Sequence, residues 1–197
     1  ISHADISCFG QNNGMIFNVS ATGGTAPYAY SINPGGAFSG LAPGTYTILA
    51  TDANSCTAQT SVVITQPNPI TTVSITTTNL SCYNTVNGSI NLQCSGGSGT
   101  LQYNLQPVNQ TNASGFFAGL SGNIYTVYVT DDSNCVHSVT ATVQSPSALT
   151  FASFSGTPIT SNGLNNGSIV TQAFGGTGSL LYTLTPALQP ANGSGVF

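Results

Sequence analysis

Apolar and polar positions alternate with a period of two along most of this chain, which is the pattern of strands with one buried face rather than of helices. Tyr46, Ile48 and Ala50 alternate with Thr45, Thr47 and Leu49, and Tyr125, Val127 and Val129 alternate with Thr126, Tyr128 and Thr130. Tyr28, Tyr30 and Ile32 predict another strand, as do Leu101, Tyr103 and Leu105. Asn-Gly, Gly-Gly and Pro-Gly turn signals fall between these runs at the spacing of an all-β sandwich. No segment has strong helix propensity, while Thr and Val favour a pleated, half-buried surface. The pattern predicts an all-β fold.

The pattern also recurs. Ile6-Ser7-Cys8-Phe9, followed by Asn13-Gly14, returns as Leu80-Ser81-Cys82-Tyr83 before Asn87-Gly88. It returns again, without the cysteine, as Ile159-Thr160-Ser161-Asn162 before Asn166-Gly167. Gly23-Gly24-Thr25 corresponds to Gly96-Gly97-Ser98 and Gly175-Gly176-Thr177; Tyr30, Tyr103 and Tyr182 follow, then Pro34, Pro107 and Pro186, then Phe38, Phe117 and Phe197. Only two units continue, Thr51-Asp52 and Cys56 of the first matching Thr130-Asp131 and Cys135 of the second.

Three modules are expected: 1–67, with its first strand missing; 68–146; and 147–197, which lacks its last strands. They meet at Gln66-Pro67-Asn68-Pro69 and Gln144-Ser145-Pro146-Ser147. Proline holds itself and its predecessor extended there, which predicts stiff joints and an extended rod.

Composition narrows the function. The 197 residues include no Lys, no Arg and four acidic side chains; polarity comes from 27 Thr, 24 Ser, 19 Asn and 10 Gln. At 40% hydrophobic the chain is too apolar for disorder. Without cations it has no means of neutralising phosphate, which excludes nucleic acid as a partner and attachment to anionic lipid by a basic patch. With no apolar run of about 20 residues, no membrane insertion is expected. Trypsin-like proteases find no site, which suits life outside a cell. The chain opens on Ile1 and is expected to be a piece of a longer or processed protein.

The five cysteines form no C-x-x-C pair, so structural zinc is not expected. The long spacings predict one disulfide within each complete module, Cys8 with Cys56 and Cys82 with Cys135, in an oxidising compartment; the alternative is free thiols in a reducing one. A sandwich of roughly 75 residues is marginal without such a staple. Cys94 shares the face of Ile90 and Leu92 and is expected to be a buried free thiol.

Other side chains carry weaker chemistry. Asp52 with Asn54, and Asp131 and Asp132 with Asn134, offer oxygens for calcium, but Asx-type turns account for them better; otherwise no cofactor is expected. His137, Asp131 and a serine can be drawn as a triad, yet no nucleophile elbow supports it, and neither His3 nor His137 recurs between modules. Catalysis is therefore not expected. Tyr30, Tyr103 and Tyr182 lie on apolar faces and belong to the core, whereas Tyr128 sits on the Thr-rich face and is free to stack on a sugar. Thr71-Thr72 and Thr76-Thr77-Thr78 predict solvent-facing strand positions. The Asn-x-Ser/Thr sequons, Asn18, Asn109 and Asn192 among them, follow from an Asn-rich composition.

The runs C-F-G-Q-N-N-G at 8–14, G-G-T-A-P-Y-A-Y at 23–30, G-L-A-P-G-T-Y-T at 40–47 and T-D-A-N-S-C at 51–56 resemble the SprB-type repeat. The resemblance is most specific over 6–67, good over 80–146 and partial over 159–197, where Ser161 replaces the first cysteine. It implies immunoglobulin-like sandwich modules strung in tandem in long surface adhesins of Bacteroidota, including those of gliding motility, exported by type IX secretion. Members of that family carry some Lys and Arg, and this chain departs from them in having none.

The function expected is that of a structural repeat segment of a secreted or cell-surface fibrous adhesin, giving length, stiffness and protease resistance. Its partners would be neighbouring repeats or copies of itself, with surface glycans as a further class. The alternative is a self-assembling extracellular filament subunit completed by strands from a neighbouring chain. A carbohydrate- or ice-binding module is the weaker reading.

Overall fold

The computed structural model describes residues 1–185 and 192–197; Pro186, the third of the aligned prolines, lies outside the described residues. Among the described residues the fold is all-β, with fifteen strands and no helix. In chain order these are β1 (Ser2–Ala4), β2 (Gly14–Phe17), β3 (Ala29–Asn33), β4 (Ser39–Leu41), β5 (Gly44–Thr51), β6 (Thr57–Ile64), β7 (Thr71–Thr78) and β8 (Gly88–Ser95). There follow β9 (Gln102–Gln106), β10 (Gln110–Asn112), β11 (Phe116–Leu120), β12 (Asn123–Thr130), β13 (Val136–Val143), β14 (Thr150–Thr157) and β15 (Ser168–Phe174). They form sheets in the orders β1-β2-β4, β3-β5-β6, β11-β8-β7, β10-β9-β12-β13 and β14-β15.

Two compact units are present. One comprises Ile1–Ile75, Leu92–Gly115 and Thr126–Val139, the other Thr76–Asn91, Phe116–Tyr125 and Thr140–Phe197, so residues 68–146 contribute to both.

In the first unit, β1-β2-β4 and β3-β5-β6 share one core. Ile16 and Leu41 come from the former sheet, Ile32, Tyr46, Ile48 and Ile64 from the latter, and Ile6 joins them. Two antiparallel sheets whose inner faces meet over one apolar layer are a β-sandwich. The period-two pattern places these residues: in β5, Tyr46 and Ile48 are buried while Thr45 is exposed, and Ile48 pairs with Ile32 across the ladder. Gly14 is glycine because of this packing, since a Cβ there would come within 2.6 Å of Ile64 Cγ2. The same unit buries Tyr103, Leu105, Val127 and Val129 from β9 and β12.

The second unit buries Leu80, Ile90, Phe117, Leu120, Tyr125 and Val143. Gly88 repeats the role of Gly14, its missing Cβ leaving room for Val143 Cγ1. In this unit β14 and β15 pair only with each other among the named strands, with an irregularity between Phe151 and Ser153. The Thr runs at 71–72 and 76–78 lie on β7, which is exposed along its length.

Candidate functional site

The feature that recurs with fixed geometry is a pair of cysteine-bearing turns. The second cysteine of each complete repeat follows a turn closed by its own aspartate. Asp52 Oδ1 accepts the N–H groups of Asn54 (2.9 Å) and Cys56 (2.8 Å), and Oδ2 accepts Thr25 N–H (2.9 Å). Asp131 does the same with Ser133 (2.9 Å), Cys135 (2.8 Å) and Ser98 (2.8 Å). Ser55 and Asn134, each just before the cysteine, take positive φ values of 66° and 63°, and the aspartate N–H donates to the cysteine carbonyl in both turns. Gly24 and Gly97 are needed because a Cβ at either would lie 2.8 Å from the aspartate Oδ2.

The first cysteine stands in a turn clamped by the asparagine of Asn-Gly. Ser7 N–H donates to Asn13 Oδ1 (3.1 Å) and Asn13 Nδ2 donates back to Ser7 Oγ (2.6 Å). Ser81 and Asn87 repeat the exchange at 3.2 and 2.7 Å, and Thr160 and Asn166 at the same two distances. Backbone bonds Gln11 N–H to Cys8 O, Thr85 N–H to Cys82 O and Leu164 N–H to Ser161 O close the three turns.

The disulfide expected within each module is not what forms. Cys8 is bonded to Cys135, with a Cα–Cα distance of 5.6 Å and 127 residues between them, while Cys56 and Cys82 are free and exposed. Strand length gives the reason. Ile6 N–H donates to Thr65 O and Gly10 N–H to Gln66 Oε1, so Cys8 sits at the end of β6, whereas Cys56 precedes its start. Eight strand residues span about 26 Å, far beyond the reach of a disulfide. In the same way β13 separates Cys135 from Gln144, whose carbonyl accepts Leu80 N–H. The bridge therefore joins the first cysteine of 1–67 to the second cysteine of 68–146.

Cys94 is a free thiol as expected but only half-buried, and burial pushes its thiol up. Of the aligned tyrosines expected in the core, Tyr103 is buried while Tyr30 and Tyr182 are half-buried, and all three have a second role. The hydroxyls of Tyr30, Tyr103 and Tyr182 accept the backbone N–H of Ala21 (2.9 Å), Cys94 (3.2 Å) and Ala173 (3.0 Å). Tyr46 and Tyr125 likewise donate to the carbonyls of Ala42 and Ser121, both at 3.0 Å.

Among the calcium candidates, Asp52 and Asp131 close their own turns and Asp132 accepts from Thr100. The Thr25 N–H, then that of Cys56, holds Asp52 below the usual carboxylate range, and the Thr100 N–H and hydroxyl do so for Asp132. Asn54 and Asn134 lie in the same turns, exposed. Asp5 is held low by Thr65 N–H, and His3 Nε2 stands 3.9 Å from its Oδ1. The triad does not assemble as a hydrogen-bonded relay: Asp131 is spent on backbone N–H groups, and His137 Nε2 shares a 3.1 Å hydrogen bond with Thr72 Oγ1. Tyr128 is 44% exposed and pairs with Asn104 across β12 and β9.

A repeat this regular, with its clamped first turn at Cys8 and again at Cys82, invites comparison with known repeat families. Residues 2–37 and 74–110 match the SprB repeat. The matched segments contain the Asn13 and Asn87 clamps and the Tyr30 and Tyr103 hydroxyls; the aspartate-cysteine turns and residues 147–197 lie outside them. No curated protein matches the chain. Among solved structures it is similar to extracellular domains 3–5 of Drosophila OTK, at 16% identity and a TM-score of 0.33, over 68% of this chain and 49% of that one. The chain thus spans about half the length of that structure, and a likeness of this size carries no argument. No helix among the described residues is long and apolar enough to cross a membrane, which leaves β-barrels unaddressed.

Proposed function

We propose that this chain is a stretch of tandem SprB repeats from a secreted or cell-surface fibrous adhesin, whose task is to supply length, stiffness and resistance to proteolysis. The observation that carries the reading is the Cys8–Cys135 bridge, a covalent tie between successive repeats rather than a staple inside one. Disulfides belong to oxidising compartments, which fits export. The proline-bearing joints support stiffness, and the absence of Lys and Arg supports resistance to trypsin-like proteases. The SprB match supports a structural role over catalysis, and placement on gliding adhesins exported by type IX secretion follows from the same resemblance.

The experiment is the mass of the native polypeptide on a denaturing gel with and without reductant. A chain of hundreds of kilodaltons in both lanes is expected; one near 20 kDa under reduction sinks the stalk reading.

One observation favours the filament-subunit alternative. In 147–197 an apolar cleft of about 480 Å3 is lined by Phe151, Phe154, Ile169, Leu181 and Phe197 among others. A strand of alternating apolar pattern, supplied by a neighbouring chain, would fill it. In that case purified chains grow into assemblies that a peptide of the β12 sequence, added in excess, caps.

A further inference from the structure

Cys56 and Cys82 carry the same turns as the two cysteines that are bonded. Cys82 stands where Cys8 stands, after a serine clamped by an asparagine; Cys56 stands where Cys135 stands, after an aspartate-closed turn. Both are exposed. We propose that they are the open halves of the bridge that Cys8 and Cys135 close. Cys82 bonds the second cysteine of the SprB-type repeat that follows it, and Cys56 the first cysteine of a repeat that precedes it, in the same polypeptide.

The closed bridge sets the rule, because it runs from the first cysteine of one repeat to the second cysteine of the next. The carbonyl before Cys82 is also reached by the following repeat, through a different position, since Thr177 aligns with Ser98. Cys135 Sγ lies 3.3 Å from the carbonyl of Ser7, just before Cys8, and Thr177 Oγ1 donates at 3.0 Å to the carbonyl of Ser81, just before Cys82. In each case the following repeat touches the residue preceding the first cysteine. The joints correspond as well, since Gly97 N–H donates to Asn68 O and Gly176 N–H to Ser147 O, both at 2.9 Å.

The missing partner can be placed by register. Phe38 precedes Cys56 by eighteen residues and Phe117 precedes Cys135 by eighteen; Phe197 holds the same position in the third repeat. The thiol for Cys82 is therefore a cysteine eighteen residues beyond Phe197, in a Thr-Asp-x-x-x-Cys turn. Ser161 replaces the first cysteine in 147–197, so this repeat offers no first cysteine for a forward bridge of its own.

Closing each bridge breaks two S–H bonds and forms one S–S bond. The two electrons and two protons pass to the disulfide of an oxidised dithiol-disulfide exchange protein, which leaves as its dithiol.

The proposal rests on the tandem-repeat reading, and one experiment separates the two. The full native polypeptide is denatured without reductant, alkylated with N-ethylmaleimide, cut with chymotrypsin and an Asp-specific protease, and mapped by mass spectrometry. The expected result is a Cys8–Cys135 peptide pair, no label on Cys56 or Cys82, and Cys82 linked to the cysteine eighteen residues past Phe197. In the full-length Cys82→Ser variant that one partner thiol becomes labelled while the Cys8–Cys135 pair persists. Label on Cys56 or Cys82 in a long chain overturns this proposal and leaves the stalk reading intact, as do Cys8–Cys56 or Cys82–Cys135 pairs. Reductant-sensitive multimers carrying the Cys82 link would put the partner in another copy and overturn the same-chain assignment. A chain near 20 kDa overturns both readings.

Discussion

The core around Ile48 and the cleft beside Phe154 are built from the same repeat and end in opposite states. In residues 1–67, Ile16, Ile48 and Ile64 are 3%, 2% and 1% exposed, because the β3-β5-β6 sheet lies over the β1-β2-β4 sheet. In residues 147–197 the counterpart of the opening sheet is there as β14-β15, but among the described residues nothing corresponds to the β5–β6 hairpin. Phe151 and Phe154 are accordingly 75% and 74% exposed. The glycines record the same difference: a Cβ on Gly14 would strike the side chain of Ile64, whereas one on Gly167 would meet only Thr157 O at 3.1 Å and Ile159 beyond it. The opening sheet forms its hydrogen bonds from local pattern, and the closing hairpin turns that sheet into a core.

The strongest way to break this comparison is to cut the bridge. Reduction, or Cys8→Ser, releases a 127-residue closure, and chain-entropy reasoning puts the loss at about 5 kcal/mol. Urea denaturation of residues 1–146 with and without reductant reads it, and an unchanged midpoint would mean that the bridge is dispensable. Ile48→Ala should cost about 2–5 kcal/mol as a buried truncation, while Phe154→Ala in a polypeptide of residues 1–197 should stay within about 0.5 kcal/mol. Equal effects on the midpoint would erase the distinction between core and cleft.

Tyr103→Phe leaves the Cys94 N–H without its acceptor at a half-buried position, a loss of about 1 kcal/mol, and Tyr30→Phe should behave alike if the repeats are energetically equivalent. The smallest expected effect is that of pH. Asp5, Asp52 and Asp132 have folded values below the usual carboxylate range, so their contribution is present in full above about pH 4 and is lost as pH falls through the lowered values. Tm measured from about pH 5 to pH 9 should stay flat, and a steep acid transition near pH 5 would contradict the lowered values that the hydrogen bonds to these carboxylates give.

Much of this was legible in the chain. The alternation of Tyr46, Ile48 and Ala50 against Thr45 and Thr47 fixes a strand and its inner face, and the spacing of Asn-Gly, Gly-Gly, Tyr and Phe aligns the repeats. The Asx-turn reading of Asp52 and Asp131 also follows from local chemistry, because Oδ1 and its two N–H donors lie within four residues. Cysteine pairing is different in kind. The spacings of Cys8 to Cys56 and Cys82 to Cys135 say that two cysteines recur, but whether they meet within a repeat or across two depends on which end of β6 or β13 each occupies. The signal was indirect: eight residues of extended strand follow Cys56 before the chain returns to the level of Ile6, too long a path for an internal bridge. The hydroxyl contacts of Tyr30, Tyr103 and Tyr182 likewise needed the fold, since their targets lie nine residues back along the chain.

The Cys8–Cys135 bond also decides how the chain would answer a pull. Tension entering at one cysteine leaves at the other through two sulphur atoms, so the residues between them carry no load while the bond stands. At about 3.4 Å per residue, roughly 430 Å of contour is held in reserve. In an oxidising medium that reserve is locked, and a reductant would release it as added slack, making the extensibility of the segment a function of redox conditions.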